Sequence, residues 1–200
     1  MQSPSMHHLG AVKRILRYIN GTIHYGIHYK RNEDFKLLGY SDSDWSGSPD
    51  DRKSTTGWVF SLGSGVIAWS SKKQAITALS STEAEYISLT AAACEAVWLR
   101  RLLEDFNEKQ GTPSVIICDN RSAIAIAKNP ILHGRTKHID TRFHFIRDLI
   151  KDDAIEVKQC KTDVQVADIF TKPLPRLKFE MLRTMLHVGD ISDQGEGVEV

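Results

Sequence analysis

Directly after Pro113 the chain reads Ser-Val-Ile-Ile-Cys, residues 114 to 118, with no charge in the run. An unbroken apolar stretch of strand length is what a strand covered on both faces looks like, and such strands sit in parallel or mixed sheets between helices. Asp119-Asn120 can then cap a helix carrying Ala123, Ile124, Ile126 and Ala127. A strand-then-helix unit of this kind predicts an α/β layered domain. A chain of 200 residues with 41% hydrophobic residues can supply its core, burying roughly 70% of the surface that its unfolded form exposes.

The remaining periodicities fill in the order. Leu9, Val12, Ile15, Leu16 and Ile19 recur at helical spacing, and Ile23, Tyr25, Ile27 and Tyr29 alternate as in a strand. A polar break at Lys30 to Asp34 suggests a boundary. Phe35 to Tyr40 predicts the first strand of the main domain, and the stretches around Trp58 to Phe60 and Val66 to Ala68 flank a turn at Leu62-Gly63-Ser64-Gly65. Ser80 with Glu83 forms a capping box, and Tyr86, Leu89, Ala93, Ala96, Leu99, Leu103 and Phe106 give the longest helix one apolar face. A further helix is expected from Ile139 to Ile150, a short strand from Ala154 to Val157, and a last amphipathic helix carrying Leu177, Met181, Met185 and Leu186. The expected division is 1–33, 34–188 and an acidic flexible tail at 189–200.

Charge excludes little globally, because 26 Lys and Arg oppose 25 Asp and Glu. Electrostatic partners must therefore be sought in local patches. Cys94, Cys118 and Cys160 are odd in number and widely spaced, which argues against a disulfide framework and for a reducing, intracellular compartment. No apolar run approaches the ~20 residues of a membrane-spanning helix.

The acids fall at places where acids are costly. Asp42 closes the first strand of the main domain, Glu85 lies near the start of the long helix, Asp119 follows the buried strand and Asp168 opens a late helix. Strand ends in such a sheet converge on one edge, so these carboxylates can share a site. Packed together they repel and raise one another's pKa unless a cation intervenes, and oxygen donors suit a hard divalent ion, magnesium above all. Each acid also has a structural role open to it: Asp119 as an N-cap, Glu85 as a complement to the helix dipole, Asp168 as a solvated helix residue.

Five strings in order, Gly39-Tyr-Ser-Asp-Ser-Asp-Trp-Ser-Gly47, Ser80-Ser-Thr-Glu-Ala-Glu-Tyr86, Cys118-Asp-Asn-Arg-Ser-Ala123, Arg135-Thr-Lys-His-Ile-Asp140 and Val166-Ala-Asp-Ile-Phe-Thr-Lys172, resemble the ribonuclease H domain of Ty1/copia-type retrotransposon Pol polyproteins. Lys13-Arg-Ile-Leu-Arg-Tyr18 with Asn20-Gly-Thr22 resembles the end of the reverse transcriptase region that precedes it. The resemblance implies a C-terminal fragment of a longer polyprotein, beginning at an internal methionine, with residues 1–33 a remnant of the reverse transcriptase. It implies a ribonuclease H-like fold: a five-stranded mixed sheet flanked by helices. It further implies that Asp42, Glu85, Asp119 and Asp168 bind two Mg2+ ions, for which Mn2+ can substitute, and hydrolyse the RNA strand of an RNA:DNA hybrid. Asp44 and Glu83 are the neighbouring acids most easily confused with these. Cellular ribonucleases H carry a histidine in the loop before the last acid, and Cys160 to Gln165 contains none. Expected partners are the hybrid and the reverse transcriptase part of the parent polyprotein, with no membrane; the expected location is the cytoplasm, in a virus-like particle. The alternative is a catalytically silent nucleic-acid-binding remnant.

Between Lys128 and Lys151, Lys128, Arg135, Lys137, Arg142, Arg147 and Lys151 outnumber Asp140 and Asp148. A local positive excess can meet phosphates, and Arg135, Lys137, His138 and Arg142 are the candidates, with Ser43 and Asn120 beside the acids. Asp42 to Gly47 mimics the opening of a calcium loop, but the twelfth position is Lys53. His133, His138 and His144 lack cysteine partners at zinc spacing. The tryptophans Trp45, Trp58, Trp69 and Trp98 could stack on bases, but the expectation is that they fill the core.

Overall fold

The computed structural model describes residues 3–30, 34–128 and 145–191. In chain order the elements are α1 (Met6–Gly21), β1 (Tyr25–Ile27), β2 (Leu37–Asp44), β3 (Thr55–Leu62), β4 (Gly65–Lys73), α2 (Ser81–Asp105), β5 (Ser114–Cys118), α3 (Arg121–Lys128), α4 (residues 145–151), β6 (Ile155–Gln159), two short 3-10 turns, α5 (Arg176–Met185) and β7 (Val188–Asp190). Five strands form a mixed sheet in the order β4-β3-β2-β5-β6. β2, β3 and β4 are antiparallel, whereas β5 runs parallel to both β2 and β6. The hairpin from β3 to β4 turns at Gly63-Ser64, where Gly63 takes a positive φ of 57° that glycine adopts without strain.

Helix α2 covers one face of the sheet. Leu89, Ala92, Ala93, Ala96 and Leu99 are buried against Phe60, Ile116 and Val157. Three alanines let helix and sheet approach closely, and full burial of side chains such as Phe60, Leu89 and Ile116 contributes about 1.5–3 kcal/mol each. Phe60 fits because Gly39 pairs with it across β2 and β3; a Cβ at Gly39 would lie 2.4 Å from its ring. The other face carries a smaller cluster of Val59, Val66, Val166 and Leu186.

Several expectations are corrected. β2 continues two residues past Asp42 to Asp44, because Thr55 and Thr56 of β3 pair with its last residues. The N-terminal strand is only Tyr25–Ile27, and it pairs with β7, so Gly189 and Asp190 belong to a two-stranded sheet. On α5 the residues facing the interior are Leu182 and, just beyond the helix, Leu186; Leu177, Met181 and Met185 are exposed. Phe106 is exposed at the C-cap of α2. Trp45, Trp69 and Trp98 are exposed rather than in the core. Among its residues α1 buries none. Among the described residues no helix is long and apolar enough to cross a membrane. The boundary expected between residues 33 and 34 abuts residues 31–33, which lie outside the described residues, as do the expected helix before residue 145 and the tail from 192 onward.

Candidate active site

The four acids arrive from four elements: Asp42 from β2, Glu85 from the second turn of α2, Asp119 from the residue after β5, and Asp168 from the second 3-10 turn, Val166–Phe170, rather than from a helix start. Asp42, Glu85 and Asp168 are buried and Asp119 is half-buried. Side-chain donor atoms of Glu85, Cys118 and Asp119 lie within 4.8 Å of one another. Glu85 also meets the Asp42 carboxyl, and the Ser43 backbone N–H supports it. Asp42 and Asp168 interact directly and share Lys172, whose Nζ stands 2.7 Å from Asp168 Oδ1 and 3.5 Å from Asp42 Oδ2.

The backbone that presents Asp42 is held from inside. Ser88 of α2 donates its hydroxyl to the Asp42 carbonyl at 2.6 Å and accepts from Ser41. Gln165, fully buried, donates to the Ser41 carbonyl at 3.0 Å and accepts from the Ala167 N–H, which docks the start of the Asp168 turn onto β2. That turn lies against β3 at Gly57, the residue paired with Asp42; a Cβ there would come within 2.5 Å of Thr171 Cγ2. Thr171 in turn donates its hydroxyl to Asp42 Oδ2. Lys178 of α5 donates to Asp168 Oδ2 at 2.6 Å and to the Thr162 carbonyl at 3.2 Å.

Position separates these acids from their sequence neighbours. The Asp44 carboxylate accepts from the Thr55 N–H at the end of the β2–β3 ladder. The first three residues of the calcium-loop resemblance, 42 to 44, are the end of strand β2 and not part of a loop. Ser80 caps α2 by accepting from the Glu83 N–H, while the Glu83 carboxylate accepts from Leu79 N–H instead of closing the expected box on Ser80. Asn120, not Asp119, caps α3, accepting from Ala123 N–H at 3.0 Å. Asp119 is thereby left to face Glu85. Ser43, a candidate substrate contact, is buried and its hydroxyl accepts from Gln74 Nε2. Arg135, Lys137, His138 and Arg142 lie outside the described residues, as do His133 and His144.

Electrostatics register the crowding. Burial, then the Asp42 and Asp119 charges, push Glu85 up to about 9. Burial also raises Asp42 to about 6, against the opposing effects of Lys172 and Thr171. Burial and then Asp119 and Asp168 push the Cys160 thiol up to about 11, and Cys118 rises for similar reasons. Desolvation works against the Lys172 ammonium, but contact with Asp168 and Asp42 wins and its pKa rises. The donor set fits a hard divalent cation: clustered carboxylate oxygens that repel one another, with the buried Asp168 Oδ1 already drawing a cationic group, the Lys172 ammonium, to 2.7 Å.

Sequence patterns left Ser88, Gln165, Thr171, Lys172 and Lys178 unassigned. Thr171 and Lys172 close the last quoted string, which was their signal; Ser88 and Gln165 carried none.

No family model matches the chain. The retrovirus-related Pol polyprotein from transposon TNT 1-94 of Nicotiana tabacum is 41% identical over 186 residues, 93% of this chain and 14% of that protein. That from transposon RE1 of Arabidopsis thaliana is 43% identical over 188 residues, 94% of this chain and 13% of that protein. The chain thus spans about one seventh of the length of these relatives. Among solved structures, LC11-RNase H1 in complex with an RNA/DNA hybrid superposes with a TM-score of 0.50 at 14% identity, covering 68% of this chain and 94% of that one.

Proposed function

The chain belongs to the retrovirus-related Pol polyproteins of transposons and has the ribonuclease H-like fold, and from that premise we propose that it is a nuclease using Mg2+ to hydrolyse the RNA strand of RNA:DNA hybrids. The observation that carries the reading is the meeting of carboxylates from four separate elements, three of them buried: Asp42 meets Asp168 and Glu85, and Glu85 meets the half-buried Asp119. Isolated buried acids are costly, and several in mutual contact are costlier still. A fold that retains them fits a site whose stability depends on a bound cation.

Asp42, Glu85, Asp119 and Asp168 would hold two ions, with Asp42 between the two halves of the site. When bound, such ions supply charge stabilisation at a phosphate and an activated water. The chain's own task is placement. Ser88 and Gln165 tie down the β2 backbone on either side of Asp42, and Thr171 orients its carboxylate. Lys178 holds the far oxygen of Asp168, so its other oxygen is directed at Lys172 and Asp42. The positive excess that includes Arg135, Lys137, His138 and Arg142 would meet hybrid phosphates, with Asn120 at the rim.

The test is cleavage of a hybrid labelled on its RNA strand, with and without Mg2+. The wild-type chain should cut, and Asp42→Asn or Asp119→Asn should lower the rate by roughly 10²–10³-fold or more. Undiminished cutting by both variants would remove the site. Hybrid binding without cleavage under any divalent ion would favour the silent binding remnant.

A further inference from the structure

We propose that the Lys172 ammonium fills the place of one of the two ions, so that the folded chain without nucleic acid takes a single divalent ion on the Glu85–Asp119 side and admits a second only when Lys172 leaves. The inference rests on the nuclease reading and adds a residue that regulates how its site is loaded.

Three features of the site converge on this. First, the acids divide into two unlike halves. Asp168 is gripped at both oxygens by ammonium groups, Lys172 at 2.7 Å and Lys178 at 2.6 Å, and Lys172 also reaches Asp42 Oδ2 at 3.5 Å. Among the described residues, neither Glu85 nor Asp119 forms an ion pair. Once all four carboxylates are ionised, as ligation of a cation requires of Glu85, they face two ammoniums and remain two charges short of neutrality, which one divalent ion supplies on the half that has no ammonium.

Second, space is shared. Magnesium binds carboxylate oxygens at about 2.0–2.1 Å. An ion ligated by Asp168 Oδ1 and Asp42 Oδ2 needs the gap between these oxygens, and the Lys172 Nζ already touches both. Two cations there would also repel each other.

Third, the two lysines are not equally fixed. Lys178 is anchored by the Thr162 carbonyl as well as by Asp168, and its side chain is 25% exposed. Lys172 is 36% exposed, and its second contact, with Asp42 Oδ2, is long at 3.5 Å. It sits on a flexible four-carbon stem. A nucleic-acid phosphate at the mouth of the site offers the displaced ammonium another anion, so arrival of substrate and entry of the second ion become coupled. Lys172 is thus a positioning residue for the loading of the site.

Mn2+ titration of the full chain without nucleic acid, followed by electron paramagnetic resonance, tests this. The wild type should bind one ion. Lys172→Met should bind two, the second at least about tenfold more tightly than in the wild type, and Lys172→Arg should keep the wild-type stoichiometry. Two equivalent ions on the wild type would overturn the proposal without any variant being needed, as would an unchanged Lys172→Met that melts cooperatively. In both cases loss of binding in Asp42→Asn would leave the nuclease reading standing. Failure of the wild type to bind Mn2+ at all would overturn both.

Discussion

Replacing Glu85 by Gln should stabilise the metal-free protein, and by an amount that grows with pH. Glu85 is buried beside Asp42 and Asp119, which moves its pKa from 4.5 to about 9. Between those values the native state holds a proton that the unfolded chain has released, so stability falls as pH rises through the window. The slope is at most about 1.4 kcal/mol per pH unit. Counted from pH 4.5, the loss reaches about 3 kcal/mol by pH 7. Asp42, raised to about 6, adds to the fall between its ordinary range and pH 6. Gln is nearly isosteric with Glu, keeps an oxygen for the Ser43 N–H and does not titrate. Urea denaturation in EDTA from pH 4 to 9 would show Glu85→Gln and wild type equally stable near pH 4 and about 3 kcal/mol apart at pH 7. Other titrations cancel in the difference. Added Mg2+ should then narrow the gap, because binding to the native wild type stabilises it by mass action and the variant has lost a ligand. A difference that stays flat with pH would refute the claim that Glu85 is held among like charges in a dry site.

Two further outcomes test the scaffold. Gly57→Ala should cost about 1–3 kcal/mol, since the new Cβ would press on Thr171 and the Ala167 carbonyl; because it pushes the Asp168 turn away from β2, Mn2+ affinity should weaken along with the urea midpoint. Asn120→Ala should lose about 1 kcal/mol as the cap of α3 disappears, while Mn2+ affinity stays unchanged; a matching loss of metal binding would show that Asn120, and not only Asp119, belongs to the site.

Local pattern spoke most clearly where both neighbours of an element are of one kind. Ser114 to Cys118 had to be covered on both faces, and β5 lies between β2 and β6 in the sheet. The inward face of α2 was legible from Tyr86 to Leu103 because a long helix on a sheet buries one continuous stripe. The same reasoning failed on α5, where Leu182 and Leu186 are buried and the apolar Leu177, Met181 and Met185 are not. A ten-residue helix that touches its neighbours mainly through one edge does not need its most hydrophobic stripe to be the buried one. Periodicity found α1 correctly as a helix, yet it buries no residue, since amphipathicity records a preference and not a partner.

For the site, the sequence by itself determined which acids were available and, through their resemblance to a known set of strings, which of each neighbouring pair to name. Strand and helix signals depend on residues a few positions apart, so they survive without knowledge of the rest of the chain. Only the tertiary structure decided that Asp44 and Glu83 serve the backbone, that Asn120 frees Asp119 from capping, and that Lys172 and Lys178 stand over Asp168. Those choices turn on distances of a few ångströms between residues as far apart as 42 and 172. Spacing allows the local contacts among them, such as Asp168 with Lys172 four residues on, but Coulomb attraction and desolvation act through space, so which of the possible contacts form and what shares them depends on residues far away in the chain.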